Sequence, residues 1–197
     1  MKTYTFLKKL LKDFFIGLFR VEVKGEENIP KSGALLVCPN HISNWDPIII
    51  GAVADRQIRF MAKASLFKIP LLNMLIKALG VFPVHRGTAD PTALKTAIGH
   101  LKNGDAVGMF PQGTRHRGEE PDASGIKSGA GMIAYRSKAD VLPVSIKTKG
   151  YKIMPFRKVY ITFGEVIPFE TLGFEKGNQA EYTAAAEKIF SKVLELI

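Results

Sequence analysis

The chain has 197 residues, 46% hydrophobic and 23% charged, enough for one domain with its own core and too ordinary for a disordered or disulfide-stapled chain. A formal net charge of +10 favours polyanionic partners: nucleic acid, anionic lipid or a phosphorylated substrate. The single cysteine, Cys38, excludes an intramolecular disulfide, and no His/Cys spacing suits zinc, so no metal is expected.

From the N-terminus, Phe6, Leu7, Leu10, Leu11, Phe14, Phe15, Leu18 and Phe19 pair up every four residues, an apolar stripe on a helix. Lys8, Lys9 and Lys12 lie mostly off the stripe. The uninterrupted apolar run from Phe14 to Phe19 is far too short to span a bilayer. Interrupting charges and the lack of a small-residue cleavage site argue against a signal peptide. A basic amphipathic helix with bulky aromatics suits the membrane interface, and the same stripe would also suit the protein's own core. The expected organisation is a membrane-associating helix over residues 1–19 and one domain over residues 20–197.

Phe19–Val23 alternates as a strand, and Gly25–Ser32 reads as a turn-rich loop. Further strands are predicted at Ala34–Cys38, Ile58–Ala62, Val81–Val84, Ala106–Phe110, Val141–Ile146 and Val159–Phe163. Helical patterns fall at Pro47–Ala54, Pro70–Leu79, Pro91–Lys102, Ser128–Lys138 and about Gln179–Leu196. This alternation predicts an α/β fold, a largely parallel or mixed central sheet flanked by helices. Cys38 falls inside an apolar strand and reads as an inert buried thiol. Leu66–Leu79, apolar nearly all round, is either a deeply buried helix or a pocket wall that also touches lipid. Gly113–Lys127 is polar and glycine-rich, a long functional loop. Lys147, Lys149, Lys152, Arg157 and Lys158 interleave with Tyr151, Met154 and Phe156, and suit lipid headgroups, nucleic acid or a plain solvated face.

Three segments at strand ends carry chemistry. Asn40-His-Ile-Ser-Asn-Trp-Asp46 follows the strand ending at Cys38, where open α/β sheets place their sites. A histidine with a carboxylate five residues on can form a base and its orienter: the carboxylate fixes the tautomer and the other ring nitrogen takes a proton from a hydroxyl. Asp46 before Pro47 also suits a helix N-cap, as does Asp90 before Pro91. The readings of Asp46 are compatible, because a carboxylate has two oxygens. Gly80 to Arg86 ends one strand with an arginine, and Phe110-Pro-Gln-Gly-Thr-Arg115 ends the next with a second. Two arginines and a glycine around one histidine suit a phosphate-bearing substrate.

In this order the blocks resemble the 1-acylglycerol-3-phosphate acyltransferase family, the lysophosphatidate acyltransferases, from about Val21 to Phe169. Asn40, His41 and Asp46 match the family's Asn-His-x-x-x-x-Asp, and Gly80 and Arg86 its second block. Phe110, Pro111, Gly113, Thr114 and Arg115 match Phe-Pro-Glu-Gly-Thr-Arg, and Val141, Pro143 and Val144 the fourth block. Lys127-Ser-Gly-Ala130 matches the Lys-x-Gly-Ala that usually follows the third. One departure stands out: the usual glutamate is Gln112, which keeps size and an acceptor oxygen and loses the charge.

The resemblance implies a glycerolphosphate-acyltransferase-like fold and transfer of a fatty acyl group from acyl-CoA or acyl carrier protein to the free hydroxyl of lysophosphatidic acid, giving phosphatidic acid for phospholipid biosynthesis. It assigns His41 as general base and Asp46 as its orienter. Arg86, Gly113, Thr114, Arg115 and Lys127 would bind the phosphate, and Asn40 and Gln112 would position substrate. No cofactor is implied beyond the acyl donor. The implied partners are an anionic phospholipid surface, the lysolipid and the donor, with no nucleic acid, and the implied place is the cytoplasmic face of the membrane, peripheral or monotopic. The alternatives are an acyltransferase for another lysophospholipid or alcohol, and a basic non-catalytic membrane- or nucleic-acid-binding protein.

Overall fold

The computed structural model describes residues 12–84 and 90–197. Helix α1 covers residues 12–19 of that range. It leads into strand β1 (Glu22–Lys24), then β2 (Leu35–Pro39), α2 (Asp46–Val53), β3 (Ile58–Lys63), α3 (Pro70–Ala78) and β4 (Phe82–Val84). The order continues with α4 (Pro91–Lys102), β5 (Ala106–Gly108), α5 (Gly129–Ser137), β6 (Asp140–Thr148), β7 (Val159–Phe163) and α6 (Gln179–Leu194). The strands form one seven-stranded sheet in the order β1-β7-β6-β2-β5-β3-β4. Every neighbouring pair is parallel except β6 with β7.

The sheet is covered on both faces, which is why β2 reads as an unbroken apolar run with all five residues buried. Its alternate residues serve different layers. Leu35 and Val37 pack with Phe15 and Phe19 of α1 and with Ile49, Ile50 and Val53 of α2. Leu36 and Cys38 pack with residues of α4, α5 and α6 on the opposite face.

Two expectations are corrected. The strand expected over Phe19–Val23 starts late: Phe19 closes α1, and Arg20 turns the chain with φ 45° before Glu22. Leu66–Leu79 is neither one helix nor deeply buried. A 3₁₀ turn over Ala64–Lys68 stops at Ile69, which is extended (φ −92°, ψ 112°) because a residue preceding proline avoids the helical region. Leu66, Ile69 and Met74 are exposed. The apolar stripe of residues 1–19 falls partly outside the described residues. In the described part, Phe15 and Phe19 are buried in the protein's own core, worth roughly 1.5–3 kcal/mol each, while Phe14 is exposed.

The turn between antiparallel β6 and β7 is a ten-residue loop, 149–158. Two of its aromatic residues, Tyr151 (φ 49°) and Phe156 (φ 61°), sit in the left-handed region, which costs an L-residue about 1–2 kcal/mol. Hydrogen bonds hold them there. The Tyr151 carbonyl accepts from the Gly118 N–H at 3.0 Å, and the Phe156 N–H donates to the Leu18 carbonyl at 2.6 Å.

Candidate active site

The register of three central strands creates the site. Pairing of β2 with β6 puts Pro39 beside Val144, and pairing of β2 with β5 puts Val37 beside Gly108. The chain leaving β2 therefore runs between the segments around Ser145 and Met109. Asn40, fully buried, uses both ends of its amide on β6: Nδ2 donates to the Ile146 carbonyl at 3.0 Å, and Oδ1 accepts from the Ile146 N–H at 2.7 Å. This fastens the start of the 40–46 turn to the sheet.

The next residue is the chemical centre. His41 Nδ1 lies 2.8 Å from Asp46 Oδ2, with both side chains buried. A carboxylate only accepts, so Nδ1 carries the proton and the lone pair of the neutral ring sits on Nε2. The same Oδ2 accepts from the backbone N–H of Ile42 and of Ser43, both at 2.7 Å. Asp46 thus closes its own turn and orients the imidazole at once. Burial pushes its carboxyl up from the ordinary range, opposed by the His41 hydrogen bond and charge and by the Ser43 and Ile42 N–H groups.

The N-cap reading of Asp46 is corrected. Helix α2 begins at Asp46 itself, Trp45 occupies the cap position, and no side chain caps it. Pro47 already removes one orphan donor, and the Ile48 and Ile49 N–H groups both reach the Trp45 carbonyl, so the carboxylate is free to fold back on the turn.

The Phe110–Arg115 segment leaves β5 beside this turn. Gln112, 2% exposed, accepts the His41 backbone N–H on Oε1 at 2.8 Å. Returning the tie, the His116 N–H donates to the His41 carbonyl at 2.9 Å. The Phe110 ring stacks on the imidazole at 3.8 Å between centroids and 17° between planes. Behind it stands Phe60, whose ring occupies the space a side chain at Gly108 would need: a Cβ there would lie 2.2 Å from it. Gly113 turns the loop with φ 68°. The Lys127 N–H donates to the Pro111 carbonyl at 3.0 Å, and its side chain packs along Gly113.

A cavity of about 380 Å³ opens against the two segments. Ser43, Asn44 and Thr114 give it polar walls, Ile42, Trp45 and Ile153 apolar ones, and Arg115 and Arg117 its charge, with no acid in the lining. Arg115 donates to Asn44 Oδ1 at 2.8 Å. His41 itself is not on the cavity wall but adjoins it through Ile42. A similar cavity of about 400 Å³ between β1, β7 and the C-terminus has no histidine in its lining.

The structure therefore brings together Asn40, His41, Asp46, Gln112, Gly113, Thr114, Arg115 and Lys127, while Arg86 lies outside the described residues. Sequence reasoning missed Arg117 and Ile153. Arg115-His-Arg117 carried a signal, two cations at i and i+2 that share one side of an extended loop. Ile153 gave none, because its place depends on the turn between β6 and β7.

Among the described residues, no helix is long and apolar enough to cross a membrane. Residues 20–147 match the family model described as Acyltransferase. A 1-acyl-sn-glycerol-3-phosphate acyltransferase of Bacillus subtilis is 32% identical over 166 residues, 82% of this chain and 81% of the relative. One from Borreliella burgdorferi is 33% identical over 129 residues, 64% of this chain and 51% of that relative. The crystal structure of the 1-acyl-sn-glycerophosphate (LPA) acyltransferase PlsC from Thermotoga maritima is similar with a TM-score of 0.73 and 31% identity, covering 98% of this chain and 79% of that one.

Proposed function

This chain belongs to the acyltransferase family, and from that membership and the geometry of its site we propose that it acylates the free hydroxyl of 1-acylglycerol-3-phosphate, giving phosphatidic acid. The observation that carries the reading is the buried His41–Asp46 pair, 2.8 Å apart, next to a cavity whose only charges are two arginines.

His41 Nε2 takes the hydroxyl proton as the oxygen attacks the thioester carbonyl of acyl-CoA or acyl carrier protein. The thiolate of the donor leaves and takes up a proton, so the acyl group moves directly and no cofactor takes part. Asp46 stabilises the imidazolium and holds Nδ1 protonated. General-base assistance of this kind is worth roughly 10²–10⁴ in rate. Arg115 and Arg117 grip the acceptor phosphate, each charged hydrogen bond contributing on the order of 1.5–3 kcal/mol. Thr114, the turn at Gly113, Lys127 and Arg86 complete the phosphate site. Asn40 and Gln112 position substrate indirectly, by fixing the backbone on either side of His41. The acceptor is amphiphilic, so the enzyme works peripherally on the cytoplasmic face of an anionic membrane.

The test is thiol release from an acyl donor, with and without lysophosphatidic acid, in wild type and His41→Ala. Release that needs the acceptor and falls at least a hundredfold in the variant supports the proposal. Acceptor-independent release would make the protein a thioesterase, and release from neither acyl-CoA nor acyl carrier protein would overturn the assignment.

A further inference from the structure

We propose that the loop of residues 149–158 is a membrane-contact element, inserting Phe156 and Met154 into an anionic phospholipid surface with Lys149 and Lys152 among the headgroups. The inference rests on the reading of the acceptor as a membrane lipid, and assigns a second part of the chain, far in sequence from residues 1–19, to the same surface.

Phe156 is 74% exposed and Met154 45%. A large aromatic side chain held in solvent on a left-handed backbone serves neither the core nor the turn, where a glycine would be cheaper. The loop spends two of its cations internally. The Arg157 guanidinium donates to the Lys149 carbonyl, and Lys158 pairs with Glu22. Lys149 and Lys152 remain exposed, without an ion pair among the described residues. Glu120 accepts from the Tyr151 hydroxyl. Aromatic and aliphatic tips flanked by lysines are the chemistry of a bilayer interface. A nucleic-acid surface needs a continuous basic stripe, which two lysines do not make.

Position agrees with chemistry. Ile153 lines the arginine cavity, and the Gly118 N–H ties the loop to the Arg115–Arg117 segment through Tyr151. On the other side the Phe156 N–H is bonded to Leu18, one helical turn from exposed Phe14. Trp45, 44% exposed on the cavity wall, packs against Phe15 and Phe19. Trp45 and Ile153 thus line the cavity, while exposed Phe14 and Phe156 stand on the two elements that carry the neighbours of these residues, α1 and the 149–158 loop.

The test uses the full chain with phosphatidylcholine vesicles, with or without phosphatidylglycerol. Binding is followed by sedimentation and by the emission of Trp45, the only tryptophan. Phe156→Asn keeps a residue that tolerates the left-handed turn and should weaken partitioning at least tenfold. Lys149→Gln with Lys152→Gln should weaken it roughly tenfold on anionic vesicles and not on neutral ones. In Phe156→Asn, transfer to a short-chain acceptor dispersed as monomer should stay at the wild-type rate, and transfer to a long-chain acceptor in vesicles should fall with partitioning. Unchanged partitioning in Phe156→Asn would overturn the proposal. So would lysine-dependent binding to duplex RNA or DNA by a protein that ignores vesicles. If wild type acylates no acceptor and Phe156→Asn still loosens vesicle binding, the docking face stands and the assigned reaction falls.

Discussion

Replacing Asp46 by asparagine separates chemistry from folding. The carboxylate is fully buried, and one oxygen serves three donors. Alanine would orphan the Ile42 and Ser43 N–H groups at about 1–3 kcal/mol each and collapse the turn. Asparagine keeps the volume and an acceptor for both. It is also spared the burial that already pushes the Asp46 carboxyl up, so stability should change by no more than ~2 kcal/mol. At about 2–4 °C per kcal/mol for a domain of this size, the melting point should move by under about 8 °C. The chemistry fares differently. An imidazolium formed as the hydroxyl is deprotonated loses its counter-charge, worth about 4 kcal/mol for charges ~4 Å apart at an effective dielectric of ~20. At 1.36 kcal/mol per decade that is close to a thousandfold in kcat. KM should hold, because the carboxylate faces His41 and not the cavity. The assay is thiol release followed with a thiol-reactive dye. A kcat within tenfold of wild type, in a variant that melts normally, would refute the base–orienter assignment and leave Asp46 a turn-former only.

Three further outcomes are expected. Gln112→Glu keeps the acceptor for the His41 N–H, so turnover should change by less than about tenfold; a change of orders of magnitude would mean the charge itself matters. Cys38 is fully buried and its thiol is pushed far up by burial, so the native protein should not react with a thiol dye, and labelling should track unfolding; rapid labelling of the folded chain would contradict the packing of β2. Glu181 accepts from the Gly177, Lys176 and Glu175 N–H groups ahead of α6, which hold its pKa below the ordinary value of 4.5. A depressed carboxyl stabilises the fold above its unfolded pKa and loses that contribution as pH falls through its folded one. Glu181→Gln should therefore melt below wild type at pH 7, with the gap closing in acid below pH 4.5; a gap that widened in acid would reverse the sign.

Local chemistry was readable in the chain. The Asp90 carboxylate accepts from the Thr92 and Ala93 N–H groups, and α4 runs from Pro91 to Lys102, because cap, proline and apolar period all act within one turn. The His41–Asp46 spacing was legible for the same reason. What escaped depends on partners distant in sequence. Asn40 reads from the sequence as a positioning residue, but the backbone it grips, the Ile146 N–H and carbonyl, is not legible there. Gln112 reads as a positioning residue that keeps an acceptor oxygen, but the backbone N–H that it holds, 71 positions away at His41, is not legible in the sequence. Asp46 looked like a cap because the rule sees only the helix that follows, not the turn behind it. The stripe of residues 6–19 suits the membrane interface and also the protein's own core, since periodicity says that one face is apolar and not what covers it.

The clasp between Asn40 and Ile146 joins residues 106 positions apart, and that separation sets a schedule. Translation runs from the N-terminus, so the turns bearing His41 and Arg115 emerge while β6 is still unmade. A chain halted before Ile146 holds the base, its carboxylate and the arginines, yet lacks the strand that fastens the turn and the Ile153 wall. Prematurely terminated products should be chemically silent, and the capacity to acylate should switch on in a single late step of synthesis.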